Sequence, residues 1–319
     1  MARAIARRDS DDSLSIRAAW LHYAAGMTQS DVAKRLGVAN VKAHRLIAKA
    51  NQDGFVRVTI EGDVAECVQL EMALARRFGL SRCEVVPDLH EAGLPLRALG
   101  HAGAGFLRRA IESGRENVIG IGHGRTLAAA VNNLPKLDAG NTRFVSLLGG
   151  LTRNYAAHPY DVIHRLAERT NATAYVMPVP FFANTADDRA VLLAQRGVHD
   201  VFELAASADL MFVGIGNVGQ NAQLVSSGMI EMAEIREVKE LGAVGEVLGH
   251  FFNAAGEAVR SSLSARTLSL GLEELQPRRI VAIAGGKEKT CAIRSVLMSG
   301  LLDGLITDES TAHALMDNK

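Results

Sequence analysis

Seven short apolar runs punctuate the chain after residue 62: Cys83–Val86, Val118–Ile121, Phe144–Leu148, Ala174–Met177, Leu210–Ile215, Ile280–Ala284 and Leu305–Thr307. Most are continuous instead of alternating, as strands buried on both faces must be. Helix-forming stretches separate them, and strands joined by helical crossovers lie parallel. The expected fold class is therefore α/β, a Rossmann-like parallel sheet covered by helices.

Several runs end in glycine-rich turns: Gly120 to Thr126, Leu148 to Thr152, Gly214 to Gly219 and Ala284 to Lys289. In an open α/β sheet, ligands bind beyond the carboxyl ends of the strands. Glycine there admits backbone amides to a phosphate or sugar oxygen, and a following helix N-terminus favours an anion. A tight strand-to-helix turn also needs glycine for conformational reasons alone, so one turn says little, and four in one sheet point to one crevice. Gly214, Gly216 and Gly219 match the spacing of a dinucleotide fingerprint, yet Gln220 to Gly228 is a poor start for the long apolar helix that should follow. No nicotinamide or other cofactor is expected.

The first sixty residues read differently. After a polar leader, residues 1–13, apolar positions at Leu14, Ile16, Ala18, Ala19, Leu21, Tyr23 and Ala24 have helical spacing, and Gly26 stops the run. Thr28 stands where an N-cap belongs, with Asp31 three positions on, ahead of Val32, Ala33 and Leu36. Gly37 supplies a sharp bend, and a third helix is expected from Asn40 to about Ala50, with Val41, Leu46, Ile47 and Ala50 inward and Asn40, Lys42, Ala43, His44, Arg45 and Lys49 outward. This is a helix-turn-helix whose third helix would enter a major groove. Residues 14–61 are read as a DNA-binding domain and 62–319 as an effector-binding and oligomerisation domain.

Charge supports that division only locally. The chain carries 35 basic against 35 acidic residues, so its net charge announces no nucleic acid. Between Lys34 and Arg57, however, six cations face a single acid, Asp53. Three widely spaced cysteines, Cys67, Cys83 and Cys291, fit neither a disulfide framework nor a zinc site, which points to a reducing compartment and no metal. No apolar run reaches the roughly 18 to 20 residues of a membrane helix, and Met1 to Ser10 lacks a signal core. A cytoplasmic protein with no membrane partner is expected.

The stretches Ala18–Tyr23, Gly26–Val38, His44–Ile47 and Gly54–Val58 together resemble the DNA-binding module of the SorC family of sugar-responsive transcriptional regulators. The resemblance continues through Asn117–Leu127, Phe144–Asn154, Pro178–Asn184, Gly242–Glu246, Gly285–Lys289 and Leu305–Asp308, and so covers nearly the whole chain after the leader. It implies a sugar-binding domain similar in fold to the sugar-phosphate isomerases and glucosamine-phosphate deaminases, and usually a tetramer. Gly122–Thr126 and Pro178–Thr185 are similar to the corresponding stretches of regulators of polyol operons, erythritol among them, which favours a small polyol or its phosphate over other sugars. The family's recognition helix commonly opens with Ser-Arg where this chain has Ala39-Asn40; that departure bears on the operator sequence.

Carried over by motif, the resemblance assigns Gly122, Gly124 and Thr126 to a ligand-facing turn with Arg125 as anion partner, Gly149, Gly150 and Asn154 to a second turn, and Lys289 to the lysine of a Gly-Gly-x-x-Lys motif. Glu246 falls where many members have Asp, keeping the carboxylate and adding a methylene. Arg125 is either an anion partner or a side chain extending from a helix start, Lys289 either a ligand or a solvated helix residue, and Asn154 either a ligand or the cap of a helix from Tyr160 to Arg169. His123 and His158 read as structural or surface residues, and Phe181 and Phe182 as core or pocket wall. On the DNA side the candidates are Thr28, Gln29, Asn40, Lys42, His44 and Arg45, with the bases they read unassigned. Operator DNA, a sugar, sugar phosphate or polyol, and further copies of the chain are the expected partners. The rival reading is a sugar-phosphate isomerase or deaminase-like enzyme with Lys289 or Glu246 as base or Schiff-base amine, but no elbow, phosphate loop or Cys-His pair completes a mechanism, and no catalytic residue is assigned.

Overall fold

The computed structural model describes residues 12–56, 65–150, 162–219, 222–276 and 278–317. The chain divides into two units, Met1–Gly62 and Asp63–Lys319.

The smaller unit begins with helix α1, residues 12–19, which widens into a π-helical turn at Trp20–Ala24. Helix α2, Gln29–Leu36, starts at Thr28, whose Oγ1 accepts from the Asp31 amide at 3.2 Å and donates to the Asp31 carboxylate at 2.6 Å. Gly37 closes it in the left-handed conformation, φ 65°, where a side chain would be strained. Helix α3 spans Asn40–Gln52, two residues beyond the expected end, and Lys49 joins Asp12 and Asp53 there.

The face of α3 corrects the sequence reading. Val41 is 74% exposed, whereas Ala43 is fully buried with Leu46, Ile47 and Ala50. Positions 43, 46, 47 and 50 have the i, i+3, i+4, i+7 spacing of one helical stripe. Val41, two residues before Ala43, lies on the far side.

In the larger unit all seven apolar runs become strands of one parallel sheet. They are β1 Arg82–Val86, β2 Val118–Ile121, β3 Arg143–Ser146, β4 Ala174–Tyr175, β5 Leu210–Gly214, β10 Ile280–Ile283 and β11 Gly304–Asp308, in spatial order β1-β11-β10-β5-β2-β3-β4. Helices α5, Leu96–Ser113, α6, Arg125–Asn133, and α7, Ile163–Thr170, cover one face. Helices α4, Ala65–Phe78, α9, Arg196–Ala206, α13, Thr290–Met298, and α14, Glu309–Met316, cover the other; α8, Ala186–Leu193, lies outside this layer and buries no residue. Side chains alternate across β5, Leu210 and Phe212 packing toward the first layer and Met211 and Val213 toward the second, as the pleat requires. Among the described residues no helix is long and apolar enough to cross a membrane.

A second sheet was not anticipated. Strands β6 Gly216–Asn217, β7 Ala243–Val247, β8 His250–Asn253 and β9 Ala258–Val259 form an antiparallel meander in the order β6-β7-β8-β9. Two of them are only two residues long. The β7–β8 turn is a two-residue loop, Leu248-Gly249, with φ of 51° and 80°, the geometry that matches strand twist but usually selects Asn-Gly; leucine hides it. The stretch after Gly219 also departs from a dinucleotide unit, since its described residues form the short helices α10, Gln223–Ser226, and α11, Met232–Glu240, the latter leading into β7.

The small sheet is pressed onto α13. A Cβ placed on Gly245 would lie 2.6 Å from the Ala292 carbonyl oxygen. Gly245→Ala is therefore expected to lower stability by about 1 to 3 kcal/mol. Gly197→Ala, on α9 where an added Cβ meets nothing within 4 Å, should raise it by about 0.5 to 1 kcal/mol. Thermal denaturation of the two variants beside the parent checks both signs.

Candidate functional site

Strand order locates the site. From β2 the chain runs outward through β3 to β4, then β5 returns to the opposite flank of β2 and β10 and β11 continue beyond it. The β2/β5 boundary is thus where connections diverge, and a crevice opens outside the carboxyl ends of such a pair. It is occupied here by a narrow cavity of about 40 Å³, lined among the described residues from β2 by His123 to Thr126, from β5 by Gly214 to Asn217, and by Leu148, Gln223, Leu224, Glu246, Leu248 and Lys289.

Gly124, φ 130°, precedes α6 with no side-chain cap, so the first-turn amides and the helix dipole favour an incoming anion or hydroxyl oxygen. Half-buried Arg125 follows, its Nε shielded from solvent and without a hydrogen-bond partner among the described residues. Thr126 is buried and donates to the Ile283 carbonyl at 3.0 Å, tying α6 to β10.

Two charged side chains enter from the far wall. Glu246, 7% exposed, accepts from the Gly249 amide at 2.6 Å. Burial pushes its carboxyl up to about 7, against the opposing pull of that amide and of Lys289. Lys289, also 7% exposed, donates to the Ile215 carbonyl at 2.8 Å. Burial and then Arg125 bring its ammonium down to about 8, against Glu246 and Glu288.

The turn that carries Lys289 is anchored from β11. Asp308 accepts from the Gly286 amide at 3.2 Å, from the Thr311 amide at 3.0 Å and from the Thr311 hydroxyl at 2.6 Å, while a Cβ on Gly285 would come within 2.1 Å of its Oδ2. Gly285 thus makes room for the carboxylate that fixes the loop.

Of the residues singled out in the sequence, Gly124, Arg125, Thr126, Glu246 and Lys289 meet in this crevice. Gly122 does not line it: its amide donates to Phe212 at 2.9 Å and it seats β2 against β5. Gly149 and Gly150 also lie outside the lining. Gly149 donates to Leu268, a Cβ there would stand 2.2 Å from the Pro180 carbonyl, and Gly150 donates to Met177, so both serve a backbone crossing. Asn154, His158 and Tyr160 fall outside the described residues. His123 stacks edge-on to Phe181 at 5.2 Å while facing the crevice, and Phe181 is core. Asn217 and Gln223 are lining amides that sequence reasoning passed over; Asn217 follows a noted glycine, and nothing in the pattern marks Gln223.

In the smaller unit, Gln29, Asn40, Lys42, His44 and Arg45 are exposed. Thr28 is engaged in capping α2. Among the described residues neither Lys42 nor Arg45 enters an ion pair, which leaves both cations available to phosphates.

Comparison with known proteins places the chain in a family. Residues 62–317 match the Sugar-bind family, described as "Putative sugar-binding domain". The chain is 63% identical over 308 residues to the erythritol catabolism regulatory protein EryD of Brucella abortus (strain 2308), covering 97% of this chain and 98% of that one. It is 34% identical over 313 residues to the transcriptional regulator LsrR of Enterobacter sp. (strain 638), covering 96% and 94%. The crystal structure of the full-length sorbitol operon regulator SorC from Klebsiella pneumoniae superposes with a TM-score of 0.74 at 25% identity, covering 96% of this chain and 98% of that one. With the family match filling the larger unit and named regulators aligned along nearly the whole length, the chain belongs to the SorC family of sugar-binding transcriptional regulators.

Proposed function

We propose that this chain binds operator DNA through α2 and α3 and that a small sugar, sugar phosphate or polyol, held in the β2/β5 crevice, changes its operator affinity. The observation that carries the reading is the convergence of Arg125, Glu246 and Lys289 on one cavity at the reversal point of the sheet. Two cations, a carboxylate, two amide side chains and an uncapped helix start suit a short polyhydroxy chain, with or without an anionic end. The 63% identity to a protein named for erythritol catabolism puts the four-carbon polyol and its phosphate first among candidates.

Binding in place of turnover fits the same geometry. The Lys289 amine and the Glu246 carboxylate are each tied to a backbone group, and His123, which shares the lining, packs edge-on against the Phe181 ring. One small module reads few bases, so action as a homo-oligomer, a tetramer by resemblance, on paired half-sites follows. A cytoplasmic location accords with that role. Ligand preference for one arrangement of the assembly then couples to DNA affinity, typically by about 1 to 3 kcal/mol, or roughly 5- to 150-fold.

Fluorescence anisotropy of the full-length protein on the DNA upstream of its own gene and neighbouring operon tests this. A specific complex whose affinity shifts at least 5-fold with erythritol, erythritol 4-phosphate or another small polyol is expected; specific binding that no sugar or polyol moves would defeat the effector reading. Arg125→Gln and Lys289→Gln should each weaken a phosphorylated ligand by about tenfold or more and a neutral polyol less, as isothermal titration reads directly.

A pH dependence also follows. The folded-state affinity of Glu246 for its proton exceeds the ordinary value of 4.5 and reaches about 7, so its contribution to stability is full below about 4.5 and is lost as pH rises to about 7. Lys289 is displaced the opposite way, from 10.5 to about 8, so its contribution is full above 10.5 and is lost as pH falls to about 8. Glu246→Gln should flatten the decline in Tm between pH 5 and 7; parallel curves for parent and variant would mean the carboxyl is not dehydrated as described.

A further inference from the structure

We infer that Val41, on the side of α3 turned away from the core of its unit, reads the 5-methyl group of a thymine in the major groove of each operator half-site. This rests on the operator-binding reading above and adds to it an apolar base contact, where the candidates Thr28, Gln29, Asn40, Lys42, His44 and Arg45 are all polar or charged.

Helix geometry places the residue. At about 100° between successive positions, buried Ala43, Leu46, Ile47 and Ala50 mark one side of α3. The line directly opposite runs through Val41, Arg45, Ala48 and Gln52, spaced i, i+4, i+7 and i+11. These four border one shallow depression along the helix, with Lys42 and His44 beside them. Val41 is the second residue of α3, in the half that a helix-turn-helix lays against base edges. The helix also starts at Ala39 without a side-chain cap, so a DNA phosphate can serve as the missing acceptor and seat that first turn on the duplex.

Nothing within the unit accounts for an isopropyl group there. At 74% exposed, Val41 is the most exposed large apolar side chain among the described residues, and it takes no part in the small unit's core. Valine is also a poor helix former, so the helix does not call for it. A lone exposed apolar residue is ordinary on a protein surface; this one stands at the centre of the face that meets bases. In a helix valine holds one strongly preferred rotamer, which presents its methyls with little ordering cost. It has no donor or acceptor, and the apolar group that a base pair shows in the major groove is the thymine 5-methyl. Asn40 and Lys42 on either side, and Arg45 one turn on, are exposed and supply the polar contacts around it.

Fluorescence anisotropy of the full-length protein tests the assignment, on the upstream DNA once footprinting has marked its half-sites. Each thymine there is replaced in turn by deoxyuridine, which removes the 5-methyl and keeps every hydrogen bond of the base pair. At one position per half-site the loss should weaken the parent about fourfold, and about fifteenfold when both half-sites are changed. Val41→Ser, which removes both methyls from an exposed site, should bind the thymine and deoxyuridine operators equally. Val41→Thr, which keeps the shape and one methyl, should show a gap between those two and decides the matter if Val41→Ser binds too weakly to measure. A parent indifferent to deoxyuridine at every thymine, or a variant that keeps the parent's full gap, overturns the assignment while leaving operator binding intact. Absence of any footprint overturns operator binding itself, and this assignment with it.

Discussion

The pairing of β2 with β5 is the constraint on which the larger unit depends. These strands are separated in sequence by α6, β3, α7, β4, α8 and α9, yet they lie in register from Ile119 against Leu210 to Ile121 against Phe212, with Gly122 closing the ladder on the Phe212 carbonyl. The strands laid down between them, β3 and β4, go to one side of β2, and the later strands of the same sheet, β10 and β11, to the other. The gap left above their carboxyl ends cannot be filled by a connection, because both connections leave in opposite directions. The crevice is thus a result of chain order, and the residues that follow β2, β5 and β10 line it together with Leu148, Glu246 and Leu248.

What makes the crevice chemically unusual is how little water reaches its charges. Glu246 and Lys289 are dehydrated on neighbouring walls, and each shifts toward its neutral form while the other holds it back. Burying two charges gains little stability over burying apolar groups of the same size. Glu246 and Lys289 are held in place by the Gly249 amide and the Ile215 carbonyl.

The central sheet was legible because its strands are apolar on both faces, and the helix-turn-helix because Thr28, Asp31 and Gly37 each perform the local task their chemistry suggests. On α3 Leu46, Ile47 and Ala50 face inward as read, but Val41 looks like core by composition, and only the packing of Ala43 shows otherwise. The small sheet escaped because two of its strands, Gly216–Asn217 and Ala258–Val259, are too short to carry a period, and because Leu248 occupies a left-handed position that sequence rules reserve for Asn or Gly. Glycines were the least decipherable signal. Gly124 opens a helix onto the crevice, Gly149 permits a backbone crossing and Gly285 yields space to Asp308, three uses that look alike in a string of letters.

The bare contact of Gly245 with the Ala292 carbonyl has a mechanical consequence. With no side chain as cushion, the strand bearing Glu246 and the helix that begins just after Lys289 are in van der Waals contact, backbone on backbone. Such a contact has almost no compliance. The strand that carries Glu246 and the helix that begins just after Lys289 are therefore set at one fixed spacing, and a larger residue at position 245 would force them apart.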